Sequence, residues 1–200
     1  MEIKVKTANG TKGGFERLAS FLEQSGLELG RNLSPVLNKT AGKVKSSTKE
    51  PKGIKQALGQ IYAPRTIKAK EIGQLIKVNR AGKDYLKAKV NLSSSRRPYI
   101  SQFKPSFTKK NGVTYKMIRK DGRKRIPDAF NVNGFVGKRV TKKRKPLRWP
   151  KGVSPAVLFL GSSKLYDSMP ENISKYLNQF VNERINFLLL KIAKNKGVAK

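Results

Sequence analysis

Apolar side chains recur at every second residue from Val113 through Tyr115 to Met117, interleaved with Thr114, Lys116 and Ile118. That period of two predicts a strand with one face on a core. Asp121-Gly122 follows, and a tight two-residue turn needs the positive φ that Gly takes freely and Asp tolerates, so a hairpin is expected there. Ile126, Ala129 and Phe130 return apolar side chains to the core, while Pro127 bends the chain between them and withholds a ladder donor. Asn133-Gly134 repeats the turn chemistry, and residues 135–140 complete a small antiparallel meander. Residues 85–92 alternate in the same way, with Leu86, Ala88, Val90 and Leu92 opposed to Lys87, Lys89 and Asn91, and are expected in the same sheet. Near the N-terminus Ile3 and Val5 alternate with Lys4 and Lys6, a short strand ending at Asn9-Gly10.

Elsewhere the period changes to that of a helix. Phe15, Leu18, Ala19 and Leu22 predict a helix over 15–25 stopped by Gly26. Leu33, Val36, Leu37, Thr40 and Val44 predict a second, with Ser34 as cap, Pro35 at the first helical position, and an end at Pro51 and Gly53. Ile54, Leu58, Ile61 and Tyr62 keep helical spacing until Pro64, and Thr66 is placed to cap a helix carrying Ile72, Leu75 and Ile76. Two short helices about a turn admit a helix-turn-helix reading, with Lys68 and Lys70 toward a DNA groove, although packed helix pairs recur in many folds. The longest stripe runs through Ile173, Leu177, Phe180, Val181, Ile185, Leu188 and Ile192. Ser168-Met169-Pro170-Glu171 matches a capping box ahead of it, and Lys191, Lys194 and Lys196 suit its C-terminal dipole end. Residues 145–155, with Pro146, Pro150 and Pro155 around Trp149, read as an extended connector over the surface.

The resulting fold class is α+β: N-terminal helices, a small antiparallel β-sheet with basic hairpins, and a long C-terminal helix. Residues 1–84 form the N-terminal strand and helical region, 85–145 the β region, and 146–200 the connector and final helix, in one composite domain.

Charge then narrows the function. The 200 residues hold 45 Lys and Arg against 12 Asp and Glu, a formal charge of +33. Self-repulsion on that scale calls for an anionic partner. The cations concentrate at the hairpin tips and exits: Arg119, Lys120, Arg123, Lys124 and Arg125, then Arg139, Lys142, Lys143, Arg144 and Lys145. These are the candidate contacts to nucleic acid or to an acidic protein. Tyr99, Phe103 and Phe107 among basic residues could stack bases; burial is the plainer account of them.

Catalysis lacks its usual parts. The chain has no Cys and no His, which removes thiolate chemistry, disulfides and the commonest general base. The carboxylates are dispersed, with no close pair for a metal cage. Pro127-Asp128 matches the opening of a restriction-type nuclease motif, but no later acid is followed two residues on by Lys. Gly10, Gly13 and Gly14 lack phosphate-loop spacing. No catalytic, cofactor or metal residue is assigned and no cofactor is expected. No apolar run approaches a membrane span, and the N-terminus lacks the apolar stretch of a signal peptide.

The segment 123–130, preceded by Gly112-Val113 and followed by the Gly-containing turn into residues 135–140, resembles the minor tail protein Z family of tailed bacteriophages. The specific part is Ile126-Pro127-x-Ala129-Phe130 with basic residues before it, and a looser likeness covers most of the chain. Where that family usually has Gly, this chain has Asp128, so a type I turn is expected here in place of a positive-φ turn. The resemblance implies a virion structural protein, a tail-completion component at the head-proximal end of a long tail, involved in head-tail joining beside the DNA passage. It also implies other tail and neck proteins as partners, a homo-oligomeric ring following the tail's sixfold symmetry, non-specific contact with DNA, no membrane, and assembly in the host cytoplasm. The rival readings are a free, non-specific DNA- or RNA-binding protein and a nuclease that works without histidine.

Overall fold

The computed structural model describes residues 2–5, 12–64, 66–92, 95, 97–108, 112–141 and 146–195. The chain is α+β and divides into two compact units. One comprises Lys55–Ile76 and Leu92–Ser163; the other comprises Glu2–Ile54, Lys77–Asn91 and the described part of Lys164–Lys200.

The second unit is built on helices α1 (Lys12–Gln24), α2 (Leu29–Ser46) and α7 (Met169–Asn195). Residues Leu18, Leu22, Leu33, Val36, Leu37, Leu177, Val181 and Leu188 are buried, as the 3.6-residue stripes predict. α1 ends where Gly26 takes φ +61° and the Leu27 N–H reaches the Leu22 carbonyl at 3.0 Å, the geometry for which glycine is the usual choice. α2 starts five residues before the expected Ser34 cap, so Pro35 lies inside it. An internal proline costs roughly 3 kcal/mol. The turn ahead of it is held by buried Asn32, whose Nδ2 donates to the Glu28 carbonyl at 2.7 Å and whose Oδ1 accepts from Arg184 Nη2 at 2.7 Å and Nε at 3.2 Å. Tertiary contact thereby overrides the local start signal at Ser34-Pro35. Asn38 pins the segment after the next strand, donating to the Ala81 carbonyl at 3.0 Å and accepting the Ala81 N–H at 2.8 Å.

β1 (Glu2–Val5), β3 (Ala88–Leu92) and β2 (Ile76–Asn79) form one sheet in the order β1-β3-β2. Ala88, Val90 and Leu92 are fully buried, as their alternation requires, whereas Tyr85 and Leu86 precede the strand and are exposed. This strand does not join the sheet strands after residue 106, so the single sheet expected over 85–92 and 111–140 is replaced by separate three-stranded sheets.

In the first unit, α3 (Ile54–Ile61) buries Ala57 and Leu58. α4 (Ala69–Gln74) is only six residues long and follows Lys68 as its N-cap residue, whose N–H is taken by the Glu71 carboxylate at 3.0 Å. Thr66 instead donates its hydroxyl to the Ala63 carbonyl, so the expected Thr66 cap does not form. Leu75 ends α4 and Ile76 begins β2. Six residues rise about 9 Å, too short to track a major groove, and the helix-turn-helix reading loses its recognition helix.

Two further sheets follow, β4 (Ser106–Thr108), β5 (Gly112–Tyr115) and β6 (Lys124–Ile126) in sequence order, then β7 (Ala129–Val132), β8 (Phe135–Arg139) and β9 (Leu147–Arg148). The β7–β8 turn is the predicted one, with Asn133 at φ +50° and Gly134 at φ +84° between paired Val132 and Phe135. The β5–β6 turn is not a two-residue hairpin at Asp121-Gly122. Tyr115 pairs with Lys124, leaving a longer connection. It is tied to the end of α3: the Ala63 N–H donates to the Met117 carbonyl at 2.8 Å, and the Arg119 N–H to the Ile61 carbonyl at 2.8 Å. These long-range bonds outcompete a local turn. Tyr62 is buried beside Phe103, its hydroxyl 3.4 Å from the Val153 carbonyl, and burial pushes its phenol pKa above the ordinary value.

Residues 145–155 were expected over the surface, yet Gly152 is buried and a β-carbon there would lie 3.0 Å from Met117 Sδ and 3.1 Å from the Phe103 ring. Its N–H donates to the Pro98 carbonyl at 2.7 Å. Pro155 then opens α5 (Pro155–Leu160) with Ser154 as its cap, and α6 (Ser163–Asp167) precedes α7. Ser168 does not cap α7 through its side chain. Its hydroxyl turns back to the Leu165 carbonyl at 3.1 Å. Asn9-Gly10, Ser93, Ser94, Arg96 and Lys196 lie outside the described residues.

Candidate nucleic-acid or acidic-partner interface

The residues Ile126, Pro127, Ala129 and Phe130, on which the resemblance rests, fall at the junction of β6 and β7. Ile126 closes β6 opposite Val113, Pro127 and Asp128 make the turn, Ala129 is buried, and Phe130 is half-buried on β7. Asp128 takes φ +58°. The type I turn expected from the Asp is therefore corrected: the backbone needs a positive φ at this position, which suits Gly best and which Asp tolerates among L-residues. Gly112, at φ +66°, sits below the turn, where a β-carbon would come 3.0 Å from the Ile126 carbonyl oxygen. Asp128→Val should lower stability by about 1–2 kcal/mol, while Asp128→Gly should leave it unchanged or raise it by less than about 1 kcal/mol; urea-unfolding midpoints measure both.

Around this turn lies a cavity of about 480 Å³ lined by Phe107, Thr108, Gly112, Arg125, Asp128, Ala129, Phe130 and Asn131. Arg125 is the cation at its wall. On the neighbouring strand position Lys124 pairs with Asp121 at 3.2 Å, an exposed pair of little energetic weight. Arg119 and Lys120 are exposed in the β5–β6 connection. Arg123 is different. Its Nη2 donates to Ser106 Oγ at 2.7 Å and lies 3.3 Å from the Thr114 carbonyl, so it braces β4 against β5 as well as carrying charge. Arg139 ends β8 with its guanidinium 5.5 Å from the Phe130 ring centroid, a cation–π arrangement that orders the side chain over the motif. Lys142, Lys143, Arg144 and Lys145 lie outside the described residues.

Of the three aromatic residues singled out as base-stacking candidates, Phe103 is buried, whereas Tyr99 and Phe107 are exposed. Sequence reading missed a second group. Lys138 on β8 and Arg148 on β9 are direct cross-strand partners, a like-charge pairing that is unfavourable without an anion nearby. Tyr99 bridges to Lys151, and the Ile100 N–H donates to the Pro150 carbonyl at 3.1 Å. That pairing, distant in sequence, sets Arg97, Arg148, Trp149 and Lys151 around a concavity of about 460 Å³.

Among the described residues no three carboxylates come together as a metal site, and no helix is long and apolar enough to cross a membrane. No protein-family model, no curated protein and no solved structure matches the chain.

Proposed function

We propose that the chain is a structural component of a phage virion, a tail-completion protein at the head-proximal end of the tail that joins tail to head beside the DNA passage. The observation that carries this reading is the Ile126–Phe130 turn. The one departure from the family pattern, Asp128, occupies a backbone conformation that a glycine at that position would satisfy, so the departure does not argue against the resemblance. Exposed cations around the same turn supply what assembly beside DNA or acidic neck subunits requires. The role is one of binding and assembly, without catalysis, in the virion tail after assembly in the host cytoplasm.

Subunits carrying +33 repel one another, so the sixfold ring should form on the tail and not free in solution. Apolar surface for subunit contact is offered by Phe187 and Leu190, neighbours at i,i+3 on α7, with Leu189 flanking them, all large, apolar and exposed. Any DNA contact through the hairpin cations should be non-specific, because Lys and Arg on turns and connections neutralise phosphate without reading bases. Its affinity should fall with salt at a log–log slope of about −0.9 per phosphate neutralised on duplex.

The deciding variant changes Lys120, Lys124, Arg125 and Arg139 together to Ser, sparing the bracing Arg123; a parallel variant changes Lys142, Lys143, Arg144 and Lys145. Both should keep the circular dichroism spectrum and lower phage titre, with tails lacking heads by electron microscopy. Full titre with normal head-tail joints would refute the role.

A further inference from the structure

The concavity walled by Arg97, Arg148 and Lys151 adjoins a second one, of about 320 Å³, lined by Tyr99, Ser101, Phe135, Val136, Trp149 and Pro150. Trp149 belongs to both. One side of this indole is therefore cationic and the other aromatic and apolar, which no core requirement explains, since Tyr99, Phe135 and Trp149 stay 44%, 55% and 41% exposed.

The ledge is built and does not depend on chance side-chain positions. The indole lies against Gly137 of β8, where a β-carbon would stand at an ordinary contact distance of 3.6 Å from Trp149 Cζ3 and a tighter 3.0 Å from Val132 Cγ2. Phe135 meets the indole edge to face at 6.2 Å between centroids. The Lys151 ammonium stands 5.4 Å from the Tyr99 ring centroid, and Lys138 faces Arg148 across the β8–β9 ladder. Held aromatic surfaces lose little freedom on stacking, and the positive charge of Arg97, Arg148 and Lys151 beside them favours a polyanion.

We propose that this ledge binds single-stranded nucleic acid, with one or two bases stacked on Trp149 and its aromatic neighbours and the intervening phosphates held by Arg97, Arg148 and Lys151. A duplex is a poor occupant because its bases are already stacked on one another. An acidic protein would satisfy the cations and leave the aromatic surface unused. The inference is independent of the virion assignment, since it concerns purified protein and a different set of residues from the hairpin cations.

The chain has a single Trp, so indole fluorescence, excited selectively over that of the tyrosines, reports this site. The probes are oligo-dT and oligo-U of 20 nucleotides, a duplex of equal length and poly-glutamate, each titrated at about 0.3 M salt, where screening suppresses diffuse charge binding. Oligo-dT, oligo-U or both should quench Trp149 saturably, and the duplex and poly-glutamate should not. With fluorescein-labelled strand, Trp149→Ala should weaken binding about 5- to 100-fold, and Trp149→Phe should restore most of it. A Trp149→Ala protein that melts with wild-type cooperativity yet binds strand as tightly as wild type would overturn the proposal. If Trp149→Ala does not fold, Arg148→Ala with Lys151→Ala takes its place and should reduce both affinity and salt slope. Equal quenching by duplex or poly-glutamate, or no quenching by either single strand, also overturns it.

Discussion

Leu188→Asp is expected to abolish soluble, folded protein. Leu188 is 5% exposed on α7, the helix that packs on α1 and α2. Removing a buried Leu side chain costs about 2–5 kcal/mol in lost transfer and cavity terms. A carboxylate placed there loses its hydration without an ion-pair partner and adds to that cost. The sum is comparable with the roughly 5–15 kcal/mol that holds a domain together. Leu190→Asp, two residues on, is the internal control. Leu190 is 62% exposed, so the isolated chain should keep its stability within about 0.5 kcal/mol. If the exposed apolar surface of α7 is a subunit contact, that same variant should fail to incorporate into tails. Expression, solubility and thermal melting of the two proteins measure the first contrast, and particle incorporation measures the second.

Gly30→Ala is expected to destabilise even though it replaces a poor helix former with the best. Both Gly30 and Gly42 lie within α2. On propensity alone each Gly→Ala change should gain up to about 1 kcal/mol. At Gly30, however, a β-carbon would stand 2.2 Å from the Lys83 carbonyl oxygen and 3.0 Å from its carbonyl carbon, a backbone collision that only displacement of the segment after β2 can relieve. Overpacking of that kind costs about 1–3 kcal/mol, so steric loss outweighs propensity. At Gly42 nothing lies within 4 Å, and Gly42→Ala should be stabilising by about 0.5–1 kcal/mol. Opposite shifts in the chemical-denaturation midpoint are the expected outcome. Equal shifts would mean that the loop is not seated on α2.

The sequence disclosed those features that local physics decides. Leu18 and Leu22, the α2 stripe and the run from Ile173 to Leu188 announced their helices by spacing alone, and Ala88, Val90 and Leu92 announced a strand. Asn133-Gly134 formed its turn, closed locally by the Gly134 N–H donating to Asn131 Oδ1 at 2.8 Å. Asp121-Gly122 did not, because the Ala63 N–H and the Ile61 carbonyl capture the neighbouring main chain. Pro35 misled in the same manner: as a local signal it starts a helix, whereas α2 runs through it, with the turn ahead of it held by the Asn32–Arg184 contact, 152 residues apart in sequence. Asp128 shows the limit of residue preference, since its positive φ is imposed by the strands on either side.

The candidate interface was partly legible for the same reason. Clusters contiguous in sequence, such as Arg123 to Arg125, stand out in the sequence itself. The ledge around Trp149 does not, because Arg97 and Tyr99 meet Trp149 and Lys151 only through the pairing of 98–100 with 150–152. Lone aromatics beside lone cations are too common to single out. The signal that could have found it was the isolated Trp among prolines in a segment flanked by Arg148 and Lys151.

The central claim is tested most directly by locating the chain in assembled particles. Density-purified virions from the strain encoding it should be probed by quantitative mass spectrometry and immunogold electron microscopy. The account predicts a fixed copy number per particle, in a multiple of six, with label at the head-proximal end of the tail. Absence of the chain from purified virions, with the protein recovered on host nucleic acid, would contradict it.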